Sequence, residues 1–266
     1  MKNFEIAKSV FKDSIDTSFY FDSTSAELVR KTLIETLKEK KHDVLFLLGE
    51  PGVGKTHTLL MLHHSPLFVL ESVFMDNPCF EWHELFLKLY TLKGLPFDET
   101  EAQEVHEVFL YELYAEEKCT IFIDEAQLLS ERQYEILARL VRLKSFQCVF
   151  ALHKEDEKKV LSQPLLKPFV AKSIVYGMLH ERELYRYLQA QLMAHSQGEI
   201  ALMFSIRDAK KIARYAKGNF RTIKKFFYAL FKLLDFAQKN DKSKYTTINR
   251  CVLTMTALDI GIIRDA

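Results

Sequence analysis

Eight consecutive residues, Gly49-Glu50-Pro51-Gly52-Val53-Gly54-Lys55-Thr56, carry the chemistry most easily read from this chain. Their spacing is Gly-x-x-x-x-Gly-Lys-Thr, the pattern of a phosphate-binding loop, or P-loop. Glycine at 49, 52 and 54 allows backbone angles that a side chain would forbid, so successive N–H groups can converge on one point. Lys55 adds a mobile positive charge suited to the β- and γ-phosphates of a nucleotide, and the Thr56 hydroxyl suits Mg²⁺. All eight residues, with His57 after them, are candidate nucleotide contacts. A pair of carboxylates, Asp124-Glu125, closes the apolar run Cys119–Ile123. Asp124 at the end of a strand would hold Mg²⁺, through water or through the Thr56 side, and Glu125 is placed to polarise an attacking water. Alone, an Asp-Glu pair would read as a solvated helix cap. Beside a P-loop it reads as the second half of the same site, the Walker B partner of Walker A.

Those groups need strands and helices in a fixed order. The apolar run before Gly49 has strand character, and 57–64 reads as a helix whose N-terminus would favour an anion. A second strand is expected at 66–71 and helices at about 81–93 and 99–116, separated by Gly94-Leu95-Pro96. The continuous apolar run 119–123 is what a parallel sheet covered on both faces requires. A helix at 131–143, a strand at 147–153 and a fifth strand at 171–176 follow. His153 ends the fourth strand. There it would lie between the two motifs and touch the γ-phosphate or the water, unless it is merely a polar strand-end residue. Upstream, 23–40 reads as a helix after an irregular start. Phe19-Tyr20-Phe21 either stacks on an adenine, with Tyr20 as the contact, or packs on the core. From Glu181 the pattern is helical, with segments at 181–195, 207–217, 220–238 and 248–260. The expectation is an α/β core, a parallel five-stranded sheet flanked by helices, in residues 1–178. A small α-helical lid domain would occupy 179–266.

Composition narrows the function classes. Hydrophobic residues make up 48% of the 266 and charged residues 27%, a globular profile, and with 8 Gly and 6 Pro no long linker is expected. Apolar runs reach about five residues, far short of the roughly 20 needed to span a bilayer. The first residues lack an apolar signal core, so no transmembrane segment and a cytoplasmic location are expected. Cys79, Cys119, Cys148 and Cys251 form no Cys-x-x-Cys pair, and His63 and His64 are adjacent and cannot share a helix face, which argues against disulfide and zinc frameworks. The formal net charge of +1 conceals an asymmetry: residues 205–250 carry +10 and the rest of the chain −9. The basic portion is either a footprint for DNA or an acidic partner, or a set of solvated helix faces with one cation serving the nucleotide.

Together these residues resemble an AAA+ ATPase. More narrowly they resemble the ATPase module of general secretion pathway protein A (ExeA type) and transposition ATPases of the TniB kind. The likeness covers roughly residues 19–235. It rests on Phe19-Tyr20, the P-loop, Ile123-Asp124-Glu125-Ala126-Gln127, Glu183-Leu184, Tyr187-Leu188 and Gly218-Asn219-Phe220-Arg221. The resemblance implies that Arg221 acts on the nucleotide phosphates from the lid, and that the protein assembles as a ring or filament with shared sites. With the residue readings above, the expectation is an ATP hydrolase using Lys55, Glu125, Arg221 and His153 catalytically, with Thr56 and Asp124 on the metal. Two departures stand out. Secretion proteins of this type continue into a membrane span and a periplasmic domain, which these residues do not contain. No Arg occurs from Lys154 to Lys172, where an arginine finger is expected; only lysines stand there, and lysine lacks the planar fork that grips phosphate oxygens. Hydrolysis is therefore expected to be slow, to use Lys167 or Lys172, or to need an Arg from a partner. The process expected first is a cell-envelope machine of secretion or pilus type, placing the protein in the cytoplasm, peripheral to the inner membrane through a partner. The alternatives are an ATP-controlled DNA-binding regulator of the transposition or replication-loading type, and a non-hydrolysing ATP-binding scaffold.

Overall fold

The computed structural model describes residues 2–12, 21–65 and 70–263. In chain order the first half contains α1 (Phe4–Val10), α2 (Thr24–Glu39), β1 (Val44–Gly49), α3 (Lys55–His64), β2 (Ser72–Met75), α4 (Trp82–Leu92) and α5 (Gln103–Leu113). Then come β3 (Cys119–Ile123), α6 (Glu131–Arg142), β4 (Phe146–His153), α7 (Glu157–Leu161) and β5 (Ala171–Val175). The remainder is helical: α8 (Glu181–Ala194), α9 (Gly198–Ala201), α10 (Ile206–Ala216), α11 (Phe220–Lys239) and α12 (Arg250–Asp259). The chain divides into two compact units. One comprises Ala26–Glu50 and Lys55–Tyr176. The other comprises the described residues of Met1–Ser25, Pro51–Gly54 and Gly177–Ala266.

The sheet unit carries five parallel strands in the order β2-β3-β4-β1-β5. β1, β2 and β3 are buried at every residue, and β4 at all but His153, which is why these segments are predominantly apolar. β5 pairs only with β1 and is largely exposed, as an edge strand can be. Phe46 of β1 stacks on Phe150 of β4 at 5.6 Å, and Tyr134 and Leu137 of α6 pack into the same core. Cys119 and Cys148 are buried in β3 and β4, where burial pushes both thiols up and leaves them as small hydrophobes.

Helices α1, α7 and α9 fall where the sequence reading expects none, and two expected elements begin elsewhere. The second strand is Ser72–Met75, not 66–71; residues 66–69 lie outside the described residues, and Leu70 and Glu71 precede the strand. Ser72 interrupts the apolar pattern, yet it is accommodated because its Oγ lies 2.9 Å from His63 Nδ1. α5 starts at Gln103, not 99, because the Asp98 carboxylate accepts from both Thr100 N (2.9 Å) and Thr100 Oγ1 (2.7 Å), fixing a turn there. The helix ends before Tyr114, whose buried hydroxyl donates to Leu89 O at 2.7 Å.

The helical unit has its own core, built on Leu184, Leu188, Ile212, Ile223, Phe227 and Leu253. Its helices begin at polar caps: Ser205 with Asp208 for α10, Asn219 for α11 and Asn249 for α12. α1, capped by Asn3, packs here, with Phe4 stacked on Phe231 and Phe11 against Phe227 at 4.9 Å. Among the described residues no helix is long and apolar enough to cross a membrane.

Gly218 holds this unit's turn between α10 and α11. Its φ is +71°, and an added Cβ would lie 2.5 Å from Leu179 O, which belongs to the segment whose N–H donates to Gly218 O at 3.0 Å. Backbone strain and a backbone clash coincide there, so Gly218→Ala is expected to lower stability by about 2 kcal/mol or more, measured by urea unfolding.

Candidate nucleotide-binding site

β1 delivers the chain into the loop at Gly49, and α3 begins at Lys55. Gly52 and Gly54 take φ of +79° and +111°, whereas Gly49 is an ordinary strand residue, so the left-handed freedom is used at two of the three glycines. An added Cβ at Gly52 would sit 2.7 Å from Asn219 Oδ1 and 2.8 Å from Arg221 Cβ. Val53 is buried and pins the loop. Glu50 and His57 flank the loop at its two ends, each partly exposed.

Lys55 is only 6% exposed, and its ammonium donates to Gly49 O at 2.8 Å and Glu50 O at 3.2 Å. Backbone carbonyls compete weakly for an ammonium against a phosphate, so the charge is poised for transfer to an anion. One residue on, Thr56 Oγ1 donates to Asp124 Oδ2 at 2.6 Å. Asp124 is 6% exposed, and burial raises its carboxyl above the ordinary range against the opposing Thr56 hydrogen bond. Its other oxygen, Oδ1, is enclosed with no hydrogen-bond partner among the described residues. A buried, half-satisfied carboxylate joined to a hydroxyl is a donor set that fits a hard divalent cation.

The register places Gly49 beside His153 and Ile123 beside Phe150, so β4 brings His153 between the two motifs. His153 Nε2 lies 3.4 Å from Glu125 Oε2, and its Nδ1 lies 3.9 Å from Asp156 Oδ2. Both of its ring nitrogens thus face carboxylates. Glu125 itself has φ +49°, rare for a residue with a side chain. Thus Lys55, Thr56, Asp124, Glu125 and His153 all gather at the C-terminal edge of the sheet, where open α/β sheets bind ligands.

Residues 34–160 match a family model described as an AAA domain. With the strand order and the loop, that settles the architecture. The fold is that of an AAA+ P-loop NTPase.

Solved AAA+ structures agree in fold at low identity. Cdc6p from Pyrobaculum aerophilum is 17% identical, with a TM-score of 0.63, 88% of this chain covered and 66% of that one. Drosophila ORC bound to DNA is 14% identical, with a TM-score of 0.62, 96% of this chain covered and 65% of that one. A point mutant of RuvB from Thermotoga maritima is 16% identical, with a TM-score of 0.58, 94% of this chain covered and 74% of that one. The chain thus spans about two thirds of the length of the first two. No curated protein matches it in sequence.

In the helical unit, Arg221 is the second residue of α11, beside Gly52. The contact that the motif did not advertise is Asn219. Its Oδ1 accepts from Thr222 N at 3.0 Å as the cap of α11, while its Nδ2 donates to Pro51 O at 2.5 Å. An Asn before an amphipathic run signals a cap, but nothing in sequence shows that its other end clasps the loop. Tyr20 and Phe19 lie outside the described residues; Phe21 packs edge-on against Tyr187 at 5.4 Å. Of the lysines standing where an arginine finger is expected, Lys172 donates to Thr36 Oγ1 at 2.9 Å, whereas Lys167 is exposed.

Proposed function

We propose that the chain binds ATP with Mg²⁺ and hydrolyses it. The observation that carries this reading is the Thr56–Asp124 pair with its unpartnered buried oxygen, one residue from the Lys55 ammonium. Lys55 would exchange its two carbonyl partners for β- and γ-phosphate oxygens, as the loop's N–H groups receive the rest of the triphosphate. Thr56 and Asp124 would hold the magnesium, which when bound neutralises charge on the phosphate oxygens. Glu125 would accept a proton from water as the water oxygen bonds to the γ-phosphorus and the bond to the β-phosphate oxygen breaks. His153 would steady Glu125 or that water, and Arg221 at the start of α11 would meet phosphate charge beside Gly52. Tyr20 remains the proposed base contact.

For the process served, charge favours ATP-controlled DNA binding over the envelope machine, which rests on the motif resemblance alone. Arg207, Lys217, Lys225, Lys232, Lys242 and Lys244 are exposed on the helical unit, while Arg214 and Lys239 are paired with Glu181 and Asp235. Drosophila ORC, of the same fold, has been solved bound to DNA. Assembly into a ring or filament belongs to the same reading, since the chain offers no arginine between Lys154 and Lys172 and a neighbour or partner would supply one. One titration tests both parts. Phosphate release per chain should rise with protein concentration, and duplex DNA should bind at low salt and weaken by roughly 10³-fold between about 50 and 200 mM. Release that stays absent at every concentration leaves a non-hydrolysing scaffold. Binding indifferent to salt removes DNA as the partner.

A further inference from the structure

Gln127 is 9% exposed and lies in the tight turn Ala126–Leu128, which Leu128 N closes by donating to Glu125 O at 2.9 Å. The turn brings its side-chain amide back onto Glu125, and Nε2 donates to Glu125 Oε2 at 2.5 Å. The opposite amide orientation would set oxygen against oxygen, so the donor end faces the carboxylate. The acceptor end, Oε1, is enclosed with no hydrogen-bond partner among the described residues. A buried amide satisfied at one end is destabilising, and an apolar side chain of similar volume would avoid that penalty. Stability therefore does not explain a glutamine here; its contact with Glu125 does. Glu125 needs such a restraint, because its backbone sits at φ +49° and, among the described residues, its side chain is otherwise braced only by His153, at 3.4 Å from the same oxygen. Both braces fall on Oε2, which leaves Oε1 to meet water.

We infer that Gln127 is a positioning residue for Glu125, locking the carboxylate so that Oε1 is presented to the attacking water. The inference rests on the hydrolytic reading above. It acts through Glu125 and requires no contact between Gln127 and nucleotide. The test is Gln127→Leu in the full chain, with Gln127→Met as a second variant that keeps side-chain length should the first fold poorly. Three quantities are read: the melting temperature without nucleotide, the ATP affinity by calorimetry, and single-turnover phosphate release. The expected result is a melting temperature equal to or above that of the parent, an affinity within about two-fold, and release slowed roughly 10- to 100-fold. Activity and stability would then move apart, which a merely structural glutamine does not produce. Release within about two-fold of the parent, while Glu125→Gln abolishes it, overturns the inference and leaves the hydrolytic reading intact. A melting temperature and affinity that fall together also overturn it. A parent that releases no phosphate fails the hydrolytic reading itself, and this inference with it.

Discussion

Lys55→Ala is expected to weaken ATP binding by roughly 100-fold, about 2.7 kcal/mol, with a comparable loss in turnover at limiting ATP. The size follows from where the ammonium sits. It is almost wholly enclosed and held by two backbone carbonyls, so much of the desolvation of this cation is already complete before a nucleotide arrives. A phosphate replacing neutral carbonyls converts two ordinary hydrogen bonds into charge-assisted ones at low effective dielectric. The alanine removes those and leaves the backbone N–H groups of the loop, which explains a large but incomplete loss. Folding should be nearly untouched. The variant without nucleotide is expected to melt close to the parent, whereas the rise in melting temperature that ATP gives the parent disappears. Calorimetry with ATP and Mg²⁺ measures the affinity, and a dissociation constant equal to the parent's would remove the P-loop reading altogether.

How much of this site could be read from residue order differs between its parts, for physical reasons. The P-loop and the acidic pair were legible because backbone chemistry fixes their spacing locally: a turn at Gly52 and Gly54, a helix opening at Lys55, a strand closing at Ile123. The strands that place them were legible because burial on both faces favours apolar residues: β1 is wholly apolar, and the buried polar pair in β3 and β4, Thr120 and Gln147, is satisfied internally, with Gln147 Nε2 donating to Thr120 Oγ1 at 2.9 Å. β2 was displaced in the expectation because it does not: Ser72 is buried, and only the position of His63 in three dimensions makes that tolerable. α1 was hidden by its length, since seven residues give under two full turns of periodicity, and its purpose is to set Phe4 and Phe11 against α11, far away in sequence. Asn219 and Gln127 lie inside motifs that drew attention to their neighbours. Their second hydrogen bonds, to Pro51 O and to Glu125, depend on how turns fold back, which residue type alone does not encode.

Glu125→Gln is the substitution expected to separate binding from chemistry most cleanly. The amide has the shape of the carboxylate, so ATP should bind within about two-fold of the parent affinity. Phosphate release should fall by roughly 10²- to 10⁴-fold, the range associated with loss of a general base. The geometry sharpens the expectation in one respect. Glu125 Oε2 receives Gln127 Nε2 and faces His153 Nε2, an arrangement that suits an acceptor oxygen and is unfavourable for a second amide nitrogen. The variant amide is thus driven to put its oxygen toward Gln127 and its NH₂ where Oε1 was, presenting water with a donor where a proton acceptor is required. Slow exchange of the two orientations cannot restore activity, since neither offers a base. The left-handed backbone at Glu125 is unaltered, so the melting temperature should hold. Trapping of unhydrolysed ATP by the variant, seen as stoichiometric ATP recovered from the protein after incubation with Mg²⁺, is the observation that assigns proton transfer to Glu125. Equal release by variant and parent would transfer that role to another group and leave only Asp124 of the pair with a role, on the metal.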